Sequence, residues 1–303
     1  MILDSNNKDH KDNLNDGKAV IVTGALPSVV IKSSGNPRLI ISSPHSGRCY
    51  PDHFLSSTCR TLDELRQVED AFIDILLTHY GLDAMQIYAD FPRSFVDANR
   101  HQDELEKHIF DHLSDSIKIK TSRYTKAGLG VIPSHLSRKK PIYDHKLTED
   151  ELNIRLKSCY TPYHHALAAM IETGKASGEV ILLDIHSMPS SLGISEADII
   201  IGTCHGKSAP AWLSKWIQDY FTKQGLATRM NTPFAGGFIT SHYGSPKDDV
   251  FALQIEINRN LYMNEQQLTL LPKWHDFAKI MADLINQISK DILNKSPITP
   301  PAD

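Results

Sequence analysis

"EVILLDIHS", residues 179–187, sets the apolar run Val180 to Leu183 directly before Asp184 and His186. A short aliphatic run ending on two ionisable groups reads as a buried strand with chemistry at its end. Two other runs follow the same pattern. Ile40-Ile41 leads into His45 within "SSPHSG" (42–47), and Leu253 to Ile257 encloses Glu256 within "DDVFALQIEINRNLYM" (248–263). "DAMQIYA" (83–89) and "VVIK" (29–32) add further strands.

Helices are expected between them. "TLDELRQVEDAFIDILLTHYGL" (61–82) carries apolar residues at helical spacing from 62 to 76, with Thr61 and Glu64 as a capping box and Gly81 as a stop. "SAPAWLSKWIQDYFTKQG" (208–225) and "LPKWHDFAKIMADLINQISKDIL" (271–293) are amphipathic, and 149–178 reads as two helical stretches interrupted around Pro162. Strands alternating with long helices predict a single three-layer α/β domain, a mixed and mostly parallel sheet between helices. The domain is expected over residues 18–295, between a disordered polar tail (1–17) and a C-terminal tail (296–303).

Composition narrows the function. The 303 residues hold 32 basic and 36 acidic side chains, a net charge of −4, with no long Lys/Arg block. That gives no sign of a nucleic-acid or anionic-membrane surface. No apolar run is long enough to span a bilayer, and the N-terminus lacks a secretory signal, so a cytoplasmic address is expected. Four widely spaced cysteines form no CxxC pair, which gives thiolate zinc sites no support. Walker, GxGxxG, GxSxG and HExxH motifs are all missing from the sequence.

Ligands of open α/β sheets bind beyond the carboxyl ends of strands. His45, His186 and Glu256 at three such ends suit one zinc ion, because catalytic zinc commonly takes two imidazoles and a carboxylate and keeps one position open. Asp184 shares a strand face with His186 and fits an outer, orienting position. The third ligand is sought at Glu69 or Asp70. On an unbroken helical wheel Glu69 falls within the stripe of Leu65, Phe72, Ile73 and Leu76, while Asp70 lies at its edge. A bare buried carboxylate is costly unless it is paired or binds metal, and the other reading of Glu69 is an ion pair with a nearby arginine. Around His45, Pro44 stiffens the turn and Gly47 is expected to supply conformational freedom.

"FPRSFVDANR" (91–100) offers Arg93, Asn99 and Arg100. A guanidinium fork matches a carboxylate, and the alternative is ion pairing with Asp97 or Asp103. "NTPFAGGFITSHYGSP" (231–246) is either a loop whose glycines approach a ligand or a tight connection.

Taken in order, "SSPHSGRCYP", "EDAFIDIL", "FPRSFVDANR", "GLGVIP", "YTPYHHAL", "LLDIHSMPS", "NTPFAGGFIT" and "ALQIEINRNLYM" resemble the N-formylglutamate amidohydrolases. The resemblance implies a fold like that of zinc carboxypeptidases and aspartoacylase-like deacylases. It implies one zinc per chain on His45, His186 and Asp70, with Glu69 as the alternate to Asp70. Glu256 is then the general base, and Asn99 with Arg100 holds the substrate α-carboxylate. Arg93 serves the substrate side chain or the oxyanion. The carboxypeptidase HxxE pair is missing, since Arg48 follows His45 by three residues. The implied partner is a small N-acyl amino acid, N-formyl-L-glutamate, hydrolysed to formate and L-glutamate in histidine degradation. Other readings are another N-acyl-amino-acid deacylase or carboxypeptidase on the same zinc site, or a non-catalytic amino-acid-binding relative.

Overall fold

The strand read first stands near the centre of the sheet. The computed structural model describes residues 2–4, 14–15, 17–19, 21–24, 28–137, 140–190 and 197–294. Eight strands form the main sheet: β1 (Ile2–Asp4), β2 (Val29–Lys32), β3 (Leu39–Ser43), β4 (Met85–Ala89), β5 (Val180–Met188), β6 (Ile199–Gly202), β7 (Thr228–Met230) and β8 (Val250–Asn258). Their order is β1-β2-β4-β3-β5-β8-β6-β7. Only the β2–β4 and β8–β6 pairs are antiparallel, so the sheet is mixed and mostly parallel, as expected.

The four central strands, β4-β3-β5-β8, run parallel and are buried on both faces. Helices cover them: α3 (Ile73–Thr78), α6 (Ala211–Lys223) and α8 (Trp274–Gln287) on one face, α5 (Thr161–Lys175) on the other. Burial on both sides explains why the strands read as continuous apolar runs rather than alternating ones.

The two faces diverge at the carboxyl ends. Leu39 and Ile41, Ile181, Leu183 and Ile185, and Leu253, Ile255 and Ile257 stay apolar against α3, α6 and α8. On the α5 face, Ile40 gives way to Ser42, Leu182 to Asp184 and His186, and Ala252 to Gln254 and Glu256. Side chains two apart share a face, and the β5–β8 register sets His186 opposite Glu256. One face of three neighbouring strands therefore turns polar at the same level.

Local signals mostly hold. Thr61 and Glu64 form the reciprocal capping box at the start of α2 (Leu62–Arg66), with Glu64 N donating to Thr61 Oγ1 at 3.3 Å and Thr61 N to Glu64 Oε2 at 3.2 Å. Thr61→Ala should lower the unfolding free energy by about 1 kcal/mol in a denaturant titration. Around Pro162 the helix does not stop. A π-turn at Leu156–Tyr160 carries α4 (Glu149–Arg155) into α5, whose first turn tolerates the missing proline N–H.

Two short stretches of the N-terminal segment pair with other strands. Within 1–17, Ile2–Asp4 pairs in parallel with Val29–Ile31, and Leu14–Asn15 pairs with Lys18–Ala19. The free edge of β2 presents unpaired backbone groups that a further strand satisfies, and this non-local partner is invisible in a polar, aperiodic stretch. Residues 5–13 and the expected tail at 296–303 lie outside the described residues.

Candidate metal centre and active site

The helix expected over 61–82 breaks where the site needs it to. α2 ends at Arg66, α3 starts at Ile73, and buried Phe72 between them has a left-handed φ of 67°. A bulky residue in that region is held there by its surroundings. Asp70 N donates to His45 O at 2.9 Å, which draws the chain across to the β3 turn. Broken helices leave carbonyls without donors, and here Arg259 supplies them. Its Nη1 reaches Gln67 O at 3.2 Å and its Nη2 reaches Glu69 O at 2.6 Å.

The break also undoes the helical wheel. Glu69 turns away from the histidines to accept from Tyr50 Oη at 2.6 Å and to pair with Arg66 at 3.4 Å. Burial raises its carboxyl above the usual range despite the Arg66 charge. Its alternative reading, an ion pair with a nearby arginine, is what the fold contains.

Asp70 instead meets both histidines. Its Oδ2 lies 3.0 Å from His186 Nδ1 and 3.4 Å from His45 Nδ1, and the three candidate ligand atoms lie within 4.8 Å of one another. The far nitrogens are committed elsewhere. His45 Nε2 donates to Asp97 Oδ1 at 2.7 Å, and His186 Nε2 donates to Asp184 Oδ2 at 2.8 Å. Carboxylates only accept, so each Nε2 carries the proton it donates, and His186 Nδ1 donates a second proton to Asp70 Oδ2, one that a bound cation would displace. Ser42 Oγ donates to Asp184 Oδ1 at 2.7 Å and Ser187 Oγ to Asp70 Oδ1 at 3.1 Å, which fixes both acids.

This donor set fits a divalent cation. His45 Nδ1 is buried with no hydrogen-bond partner, an arrangement proteins avoid unless the atom has another use. Burial disfavours charge on His186, but Asp184 and Asp70 outweigh it and raise its pKa well above the ordinary value. Burial likewise works to raise Asp70, yet the two imidazoles hold its carboxyl well below the usual range. The site draws positive charge. Imidazoles oriented by carboxylates are the usual outer arrangement of such centres.

Glu256 lies beside this cluster, buried, with Gln254 Nε2 donating to its Oε1 at 2.6 Å. Burial pushes its carboxyl up to about 7, with His186 and Arg93 pulling it down and Asp70 pushing it further up. A carboxyl near neutrality is poised for proton transfer. The Gly-rich loop braces it, since Gly237 N donates to Gln254 Oε1 at 2.6 Å. A Cβ on Gly237 would stand 2.3 Å from Asn99 Nδ2, so the loop approaches the site's own side chains closely.

Gly47 acts by the same principle. It has no left-handed φ, contrary to the freedom expected of it. A Cβ there would lie 2.2 Å from Phe91 O. Gly47→Ala should therefore destabilise the metal-free protein by about 3 kcal/mol. Gly81→Ala, in open space, is the control in the same thermal unfolding series.

The histidines, Asp70 and Glu256 open into a cavity of about 550 Å³ that Arg93, Asn99, Arg100, Arg123 and Arg259 also line. Arg93 Nε donates to Asp97 Oδ2 at 3.1 Å. Arg100 is tethered by Nε to Leu129 O at 3.0 Å and by Nη1 to Asn99 O at 2.8 Å. Asn99 Oδ1 accepts from Ile239 N at 2.8 Å, and its Nδ2 lies 3.1 Å from His186 Nε2, which places the amide against the metal-site histidine. Sequence reasoning cast Asp97 only as an arginine partner and missed Arg259, because their partners His45, Gln67 and Glu69 are distant in the chain, and it missed Arg123, which only the fold brings to the cavity.

Known proteins resemble this chain over most of its length. A family model described as N-formylglutamate amidohydrolase matches residues 37–263. A protein of Pseudomonas aeruginosa named N-formylglutamate deformylase is 29% identical over 252 residues, 80% of this chain and 88% of that protein. Its namesake in Pseudomonas putida is 26% identical over 253 residues, with the same coverage. The crystal structure of N-formylglutamate amidohydrolase from Ralstonia eutropha superposes with a TM-score of 0.81 at 27% identity, covering 88% of this chain and 98% of that one. Among the described residues no helix is long and apolar enough to cross a membrane.

Proposed function

The chain belongs to the N-formylglutamate amidohydrolase family, and from that premise we propose that it hydrolyses N-formyl-L-glutamate to formate and L-glutamate, using one zinc ion per chain. The observation that carries the reading is the convergence of His45 Nδ1, His186 Nδ1 and Asp70 Oδ2 beside buried Glu256 in an arginine-lined cavity. His45, Asp70 and His186 would hold the metal. When bound, zinc supplies Lewis-acid chemistry, lowering the pKa of water to about 7 and polarising the formyl oxygen.

The chain's own residues do the rest. Glu256 accepts a proton from the attacking water as the new C–O bond forms. It returns that proton to the amide nitrogen as the C–N bond breaks, so one carboxyl serves as base and then as acid. Arg93 is suited to the developing oxyanion: its charge is felt at both Asp70 and Glu256, and its Nε is pinned by Asp97. Arg100, fixed through two of its nitrogens, and Asn99 Nδ2 would hold the α-carboxylate. The test is formate release from N-formyl-L-glutamate before and after chelation. Release that stops on chelation and returns with zinc supports the reading, and release unaffected by chelator overturns the metal's part in it.

A further inference from the structure

Four arginines line the cavity, and three of them face acids of the protein itself. Arg93 lies 3.1 Å from Asp97, Arg100 lies 3.9 Å from Asp97, and Arg259 lies 3.5 Å from Asp70. Arg123 is different. Among the described residues no carboxylate comes within ion-pair distance of it, and its hydrogen bond goes from Nη2 to Tyr124 Oη at 2.7 Å. The Tyr124 ring lies against two guanidiniums, Arg100 with Cζ at 3.8 Å from the ring centroid and Arg123 with Cζ at 4.7 Å. An aromatic face offsets part of the cost of bringing two like charges together. Tyr124 therefore works as a spacer that presents two cationic forks to one cavity.

Resting on the reaction proposed above, we propose that Arg123 is the specificity-determining residue for the substrate's side-chain carboxylate. Arg100 takes the α-carboxylate and Arg123 the distal one, making the site a reader of acyl dicarboxylic amino acids. A substrate with a neutral side chain would leave the Arg123 charge without a partner. The exposed position of Arg123 on the "TSRYTKAG" segment, which forms a short turn rather than part of the sheet, suits a residue at the rim that meets the outer end of the substrate.

The experiment compares wild type and Arg123→Gln on N-formyl-L-glutamate and N-formyl-L-glutamine. Calorimetric binding of L-glutamate and L-glutamine to the zinc-loaded proteins accompanies it. Arg123→Gln should narrow the glutamate-over-glutamine ratio in kcat/KM by about 10- to 100-fold, as loss of a charge-assisted contact does. The binding ratio should narrow in parallel. Equal losses on both substrates, or an unchanged ratio, overturn the assignment. Binding needs no turnover. If the wild type hydrolyses neither formyl substrate, the proposed reaction fails, while glutamate selectivity that Arg123→Gln abolishes still upholds the subsite. Wild type binding both amino acids equally overturns it.

Discussion

Glu256→Gln should keep zinc bound and lower kcat by about 10²–10⁴-fold, the range a positioned acid–base group contributes. The variant preserves shape. A glutamine can still accept from Gln254 Nε2, so the brace running from Gly237 N through Gln254 stays in place. What it removes is a carboxyl that burial has pushed up to about 7 and that can both take and give a proton near neutrality. Because the proposed mechanism uses the same group for water activation and for protonation of the leaving amine, the loss should sit near the upper end of that range. KM should change little, since the proposed substrate contacts are the arginines and not Glu256. Single-turnover kinetics with metal analysis is the check. A rate near wild type removes Glu256 from the chemistry, and loss of zinc makes it a ligand.

The second large effect is loss of the metal itself. Replacing a carboxylate or carbonyl that orients a ligand typically costs 10- to 100-fold in metal affinity. His45→Ala, Asp70→Asn and His186→Ala remove proposed ligands outright and should each exceed that, leaving the purified protein without stoichiometric zinc and without formate release. Asp97→Asn, which leaves the three proposed ligands in place but weakens the acceptor of His45 Nε2 and the anchor of Arg93, should fall inside the 10- to 100-fold range for metal affinity. Glu69→Gln is the discriminating control. It lies next to Asp70 in sequence but bonds Tyr50 and Arg66, so its zinc content should match wild type. Full zinc in Asp70→Asn, or its loss in Glu69→Gln, reverses the assignment of the third ligand.

Local and periodic features were legible in the sequence. The parallel strands, the amphipathic helices, the Thr61–Glu64 box and the placing of His45, His186 and Glu256 at strand ends follow from runs of neighbouring residues. What escaped depended on distant partners. The wheel favoured Glu69 because it assumed an unbroken helix, whereas the His45 carbonyl and the Arg259 guanidinium stabilise a break that local propensity does not encode. Gly47 could be flagged as special, but not that the backbone of Phe91 lies against it. The strand at Ile2–Asp4 exists only against the edge of β2. Nothing in the sequence singles out Arg123; the fold does, by bringing its neighbour Tyr124 against Arg100.

The position of β8 sets the order in which the molecule can become competent. β8 comes last of the eight strands in the chain, yet it sits between β5 and β6, and Arg259, which closes the break above Asp70, follows directly after it. A chain still being synthesised can present both histidines and Asp70, but it lacks Glu256 and the guanidinium that holds Asp70's loop. Its β5 keeps one edge open until residue 250 and beyond have emerged. Pairings of such long sequence separation form late and slowly. Such a chain would gain the ability to cleave an amide only after its final strand slides into the middle of the sheet, so a protein cut short before that strand would be idle rather than merely weakened.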